Sequence, residues 1–233
     1  WYLSEDSGSP HIIFVHGIGS VRSGDHAVEL ASRLVDFDFN VLMFDLRGHG
    51  SSSGDRVSGG YFERWDVLGA FDYLLERGVD PGRIGLMGFS MGAAASILAA
   101  AEESRINAVA VDSTFANASD LIAREAARKT AIPGWLTPIF MPASKLMANG
   151  IYGIDIGALV PERAVSKLDY PVLVIHGIAD ERVPWQQGQR VAAASKEGSS
   201  IWLVPRVKHL DAFLEHPEEY VRKVSAYFDR RFR

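Results

Sequence analysis

Ser90 stands between Gly88 and Gly92 in the stretch IGLMGFSMGAAAS, residues 84–96, where an apolar run gives way to a cluster of small residues. A serine so placed has two uses. Small neighbours let a strand and a helix approach closely, in which case the serine is packing. Alternatively the serine is presented on a tight strand-to-helix turn, where its hydroxyl becomes a nucleophile once a base removes its proton. That second use requires an imidazole and an orienting acid elsewhere in the chain. Seven histidines are present: His11, His16, His26, His49, His176, His209 and His216. None is paired at H-x-x-x-H or H-E-x-x-H spacing, so the sequence reads as having no metal site. The absence of cysteine removes disulfides and thiolate ligands as well.

The elements that must position Ser90 are legible as alternating apolar and amphipathic segments. Residues 11–17, 40–48, 83–90, 106–113, 171–177 and 200–205 are short runs rich in Val, Ile, Leu and Phe. Continuous rather than alternating hydrophobicity is expected of strands covered on both faces. Between them, residues 25–37 put Val28, Leu30, Ala31, Leu34 and Val35 on roughly one helical face, and residues 63–78 do the same with Val67, Leu68, Phe71, Leu74 and Leu75. A last helix over 217–232 opens on Pro and acids and closes on arginines, as the helix dipole favours. The alternation predicts an α/β fold, a doubly wound and mostly parallel sheet.

One segment departs from it. From Phe115 to about Tyr170 no clear strand occurs, and residues 131–161 are dense in Pro, Gly and large apolar groups. So long an excursion in an α/β domain reads as a functional insertion, placed over the carboxyl edge of the sheet. The expected division is therefore a core of 1–115 and 171–233 with a helical cap of 116–170.

Bulk properties narrow the partners. The 233 residues are 47% apolar and 23% charged, with a net charge of −5, which argues against a nucleic-acid surface. No apolar run reaches the ~18 residues of a membrane span, and no segment has the pattern of a signal peptide. The expectation is a cytoplasmic protein, with a removed leader or anchor left open because the chain begins at Trp1.

Several motifs now resemble one family. GFSMG fits G-x-S-x-G, the nucleophile elbow of the α/β-hydrolase fold, with a strand before it and a small-residue helix after it. FVHGIGS (14–20) resembles that family's H-G-x loop, and FDLRGHGSSSG (44–54) its D-x-R-G-x-G-x-S loop. HGIADERVP (176–184) is similar to the acid-bearing stretch, and VPRVKHLDAF (204–213) to the histidine loop. The resemblance covers nearly the whole chain and includes small-cap esterases, monoacylglycerol-lipase-like and peptidase-like members.

The resemblance implies a serine hydrolase in which Ser90 is the nucleophile, His209 the base and Asp180 the acid that orients it. The backbone N–H groups of Ile18 and Met91 would form the oxyanion hole. Asp112 and Glu181 stand as alternative acids and His216 as an alternative base. Lys208 occupies a position that is glycine in many relatives, which questions the local turn. His16, His49 and His176 read as histidines bracing backbone around the site, and His11 and His26 as exposed. Neither a metal nor an organic cofactor is required.

The expected substrate is a small-molecule carboxylic ester with an apolar acyl or alcohol group, held by cap residues such as Trp135, Phe140, Met147 and Tyr152. Thioesters and amides are the alternatives on the same triad. A non-catalytic binding relative would lack a triad member, and none is missing.

Overall fold

A computed structural model of the protein describes residues 1–4, 8–129 and 137–233. Among the described residues one sheet is built from β1 (Tyr2–Leu3), β2 (His11–Val15), β3 (Asn40–Met43), β4 (Ile84–Phe89), β5 (Val109–Asp112), β6 (Leu173–Gly177) and β7 (Ser200–Val204), in the order β1-β3-β2-β4-β5-β6-β7. All neighbouring pairs are parallel except β1, which runs antiparallel to β3 at the edge. The six strands read from the sequence are present; β1 was not anticipated.

Helices cover both faces, which is why the strands carry no polar alternation. Successive residues of a strand point to opposite faces. Along β2, Ile12 and Phe14 join a core with α1 (Ala27–Val35) and α9 (Pro217–Phe232). Ile13 and Val15 instead join α2 (Glu63–Glu76), α3 (Met91–Glu102) and α7 (Trp185–Ala194). The short α8 (Ala212–Glu215) leads into α9.

Two local expectations are corrected. His11 is buried rather than exposed, because β1 lies over it: the Tyr2 ring stacks on its imidazole and Tyr2 Oη lies 2.5 Å from its Nε2. Val28 is 40% exposed; the stripe that α1 buries is Ala27, Leu30, Ala31 and Leu34, one residue out of phase with Val28.

The segment between β5 and β6 is helical, comprising α4 (Ala118–Lys129), α5 (Thr137–Tyr152) and α6 (Pro161–Val165). Helices α4 and α5 pack on each other, whereas α6 packs on α3 and α7 of the body. The excursion is closed at its neck, where Ala118 N–H donates to Leu159 O (3.0 Å) and Glu162 N–H to Ala116 O (3.1 Å). No helix among the described residues is long and apolar enough to cross a membrane.

The topology sets where a ligand fits. From β2 the chain steps outward to β3, then returns to lay β4 on the opposite side of β2. In such sheets the crevice opens at the carboxyl ends of the two strands flanking the reversal. Those ends are the loop after Val15 and the turn at Ser90.

Candidate active site

Ser90 directly follows β4 and precedes α3, with φ 53° and ψ −114°. A non-glycine residue at positive φ is strained, and the surrounding structure must hold it there. Ser90 N–H donates to Asp112 O (2.9 Å), while Ser90 O accepts from Ala93 N–H (3.1 Å), so sheet and helix grip the same residue. The turn closes only because Gly92 lacks a side chain: a Cβ there would lie 2.1 Å from Val15 O and 2.5 Å from His16 O. The small residues and the presented serine are one device.

Two further loops bring the expected partners to Ser90. His209 follows β7, and its Nε2 lies 2.9 Å from Ser90 Oγ; its Nδ1 lies 2.6 Å from Asp180 Oδ2. Asp180 follows β6, with its Oδ1 accepting the N–H groups of Arg182 (2.9 Å) and Val183 (2.8 Å). The two loops are tied together by Ala179 N–H donating to Val207 O at 2.9 Å. Among the described residues the positive φ angles of the histidine loop fall on Arg206 (63°) and Leu210 (64°), so Lys208 stands where no glycine is needed.

The electrostatics of this cluster favour an ionised carboxylate at Asp180. Burial acts to raise the Asp180 pKa, but hydrogen bonds with His176 and His209 and the N–H of Val183 outweigh it, leaving the carboxyl well below its ordinary value. His176, fully buried, places Nε2 2.9 Å from Val183 O and 3.3 Å from Asp180 Oδ2. The sequence showed His176 only as a residue before glycine at a strand end; its contact with the acid depends on the loop folding back.

The alternatives weighed for acid and base lie elsewhere. Asp112 is fully buried and accepts from Tyr220 Oη and Ser113 Oγ, both at 2.9 Å. Burial pushes its carboxyl up to about 6, against the pull of those two hydrogen bonds. Ser113 Oγ in turn accepts Leu210 N–H (3.3 Å), which links Asp112 to the residue after His209. Glu181 and His216 are exposed.

A cavity of about 340 Å³ opens over Ser90 and is bounded by Gly17, Ile18, Ser20, Arg182 and His209. Met91 is the first residue of α3, where backbone N–H groups have no partner within the helix. A second cavity of about 280 Å³ lies where the cap meets the body, lined by apolar side chains including Val57, Phe115, Leu121, Ala148, Ile154 and Leu159. Of the cap residues expected to hold substrate, Met147 and Tyr152 are 59% and 53% exposed on α5. Trp135 and the side chain of Phe140 lie outside the described residues.

Comparison with known proteins agrees with this architecture. The sequence profile of the α/β hydrolase fold matches residues 10–140, more than half of the chain. The chain belongs to the α/β-hydrolase fold family. This hydrolase is 27% identical over 234 residues to the uncharacterized Escherichia coli protein YfhR, covering 98% of the chain and 74% of that protein. It is 27% identical over 216 residues to the lysophosphatidylserine lipase ABHD12 of Danio rerio, covering 88% of the chain and 54% of that protein. Among solved structures, the Pyrococcus furiosus esterase Pf2001 superposes on the hydrolase with a TM-score of 0.75 at 25% identity, covering 97% of this chain and 85% of that one.

Proposed function

We propose that the protein is a serine hydrolase of carboxylic esters. The observation that carries this reading is the position of His209, within hydrogen-bond reach of Ser90 on one ring nitrogen and of Asp180 on the other. A neutral imidazole with its proton on Nδ1 is the form that can take a proton from serine.

Ser90 Oγ attacks the ester carbonyl carbon while its proton passes to His209 Nε2. The carbonyl π pair moves onto oxygen, and the backbone N–H groups of Met91 and Ile18 receive that charge. Asp180 stabilises the imidazolium. Collapse of the intermediate breaks the bond to the alcohol oxygen, which leaves with the proton from His209. Water, deprotonated by the same imidazole, then attacks the acyl-serine, releasing the carboxylic acid and restoring Ser90.

The apolar 280 Å³ cavity at the cap supports an acyl chain as the group held. The esterase and lipase named among the similar proteins support ester chemistry over other reactions of the fold.

Initial rates on p-nitrophenyl esters from acetate to palmitate test the reading. Turnover with an optimum at short or medium chains is the expected result. Absence of turnover on every ester, with amides or thioesters cleaved instead, would overturn it.

A further inference from the structure

We infer that His49 is a positioning residue for the oxyanion hole, acting on the Ile18 N–H through Gly19; this rests on the reading of Ser90 as the nucleophile. The loop Gly17–Gly19 follows β2 and borders the cavity over Ser90. A backbone donor there is useful only if its peptide plane is held, because a trans peptide can rotate as a unit about the flanking bonds. Two imidazoles hold the two planes that meet at Ile18.

The plane before the Ile18 α-carbon contains Gly17 C=O and Ile18 N–H. His16 Nδ1 lies 2.8 Å from Gly17 O, and its Nε2 accepts Leu46 N–H at 3.0 Å. In a trans peptide the N–H points opposite the carbonyl, so fixing Gly17 O aims Ile18 N–H. The plane after Ile18 contains Gly19 N–H, which donates to His49 Nε2 at 3.1 Å. His49 Nδ1 lies 2.8 Å from Arg47 O. A ring nitrogen that accepts a backbone N–H is unprotonated, so His49 is neutral with its proton on Nδ1, donating to Arg47 O.

His49 itself stands on a rigid loop. The Asp45 carboxylate accepts Arg22 N–H (2.8 Å) and Ser51 N–H (2.9 Å) and pairs with the Arg22 guanidinium. His49 N–H donates to Leu46 O (3.1 Å), and Ser52 Oγ donates to Asp45 O (2.6 Å). The His49 ring meets His16 edge to face at 5.0 Å, so the two braces support each other. Gly19 adopts φ 73° and carries no side chain that could hold its peptide in place. Without His49, the second plane loses its only side-chain hold among the described residues, and Ile18 N–H drifts from the carbonyl oxygen it serves.

Two substitutions test this on the folded enzyme. His49→Phe keeps a ring but offers no acceptor; His49→Gln puts an amide oxygen near the position of Nε2. With p-nitrophenyl esters, His49→Phe is expected to lower kcat about 10- to 100-fold, less than outright loss of an oxyanion donor, with little change in KM. His49→Gln should recover most of that loss, with thermal midpoints recorded for all three proteins. Independently of turnover, nitrogen-15 spectra of the wild type should show His49 protonated on Nδ1 and bare on Nε2. A His49→Phe enzyme as fast as wild type, a His49→Gln enzyme as slow as His49→Phe, or an Nε2-protonated His49 would each overturn the inference. A wild type that cleaves no ester would overturn the functional reading and this inference with it, whereas an active wild type indifferent to His49 overturns this inference alone.

Discussion

The Asp180 carboxylate divides its oxygens: Oδ2 meets His209 Nδ1 at 2.6 Å, while Oδ1 accepts two N–H groups of its own loop. One oxygen therefore shapes the turn and the other, in the proposed reaction, orients the base. The low pKa of this carboxyl keeps it ionised.

That division makes Asp180→Asn a selective lesion. An Asn oxygen can still accept from Arg182 and Val183, so the turn survives and the thermal midpoint should stay near that of wild type. The amide nitrogen then faces His209 Nδ1 and favours the tautomer with the proton on Nε2, which cannot accept from Ser90. By analogy with the same substitution in other triads, kcat should fall by about 10⁴. Retention of most activity at neutral pH would show that Asp180 does not orient the base.

Asp112 gives a stability signature. Its pKa of about 6 in the fold stands above the ordinary 3.8. Between those values the folded state holds a proton that the unfolded state has lost, so the Asp112 contribution weakens as pH rises through that window and its cost is complete above about pH 6. The two-unit shift corresponds to on the order of 3 kcal/mol, of which about 1 kcal/mol falls between pH 5 and pH 8. Asp112→Asn does not titrate, so its stability relative to wild type should improve over that range. Denaturant midpoints at pH 5 and pH 8 measure this; an unchanged difference would mean that Asp112 is not protonated in the fold.

Gly17 and Gly92 separate activity from folding. A Cβ at Gly17 would lie 3.2 Å from Ser90 Cβ and 3.8 Å from its Oγ, a tight contact on the proposed nucleophile. Gly17→Ala should cut kcat while the protein remains folded. A Cβ at Gly92 would sit within 2.5 Å of two backbone oxygens, so Gly92→Ala must displace β2 or α3 and destabilise the fold by about 1–3 kcal/mol or more. Gly17→Ala should lose rate at a nearly unchanged thermal midpoint, whereas Gly92→Ala should lose both; an equal drop in thermal midpoint for the two variants would contradict this assignment.

The cavity at the cap makes a claim about chain length. Ala148 contributes to its wall, and Ala148→Phe would fill part of its 280 Å³. The expected outcome is a shift toward acetate and away from medium-chain esters, seen as a raised KM for the longer substrates. An unaltered chain-length profile would place the acyl group elsewhere.

Much of this arrangement was legible in the residues themselves. Strands covered on both faces announce themselves as unbroken apolar runs, and Ser90, Asp180 and His209 each stand in a loop after such a run. What escaped depended on tertiary contact. The edge strand Tyr2–Leu3 is too short to carry a period, and without it His11 reads as a surface residue. The link from Asp112 through Ser113 to Leu210, and the grip of His49 on Gly19, join residues 97 and 30 positions apart, which no local pattern encodes. The cap was visible as an interruption, but exposed Met147 and Tyr152 are apolar residues whose facing the sequence could not assign.

The central claim is that Ser90 is an activated nucleophile. The most direct measurement is the intact mass of wild type and Ser90→Ala after incubation with a fluorophosphonate, followed by peptide mapping of the adduct. A single adduct on wild type, mapped to Ser90 and absent from a folded Ser90→Ala protein, is the predicted result. Labelling of Ser90→Ala to the same extent, or a wild type that takes no label, would contradict the account.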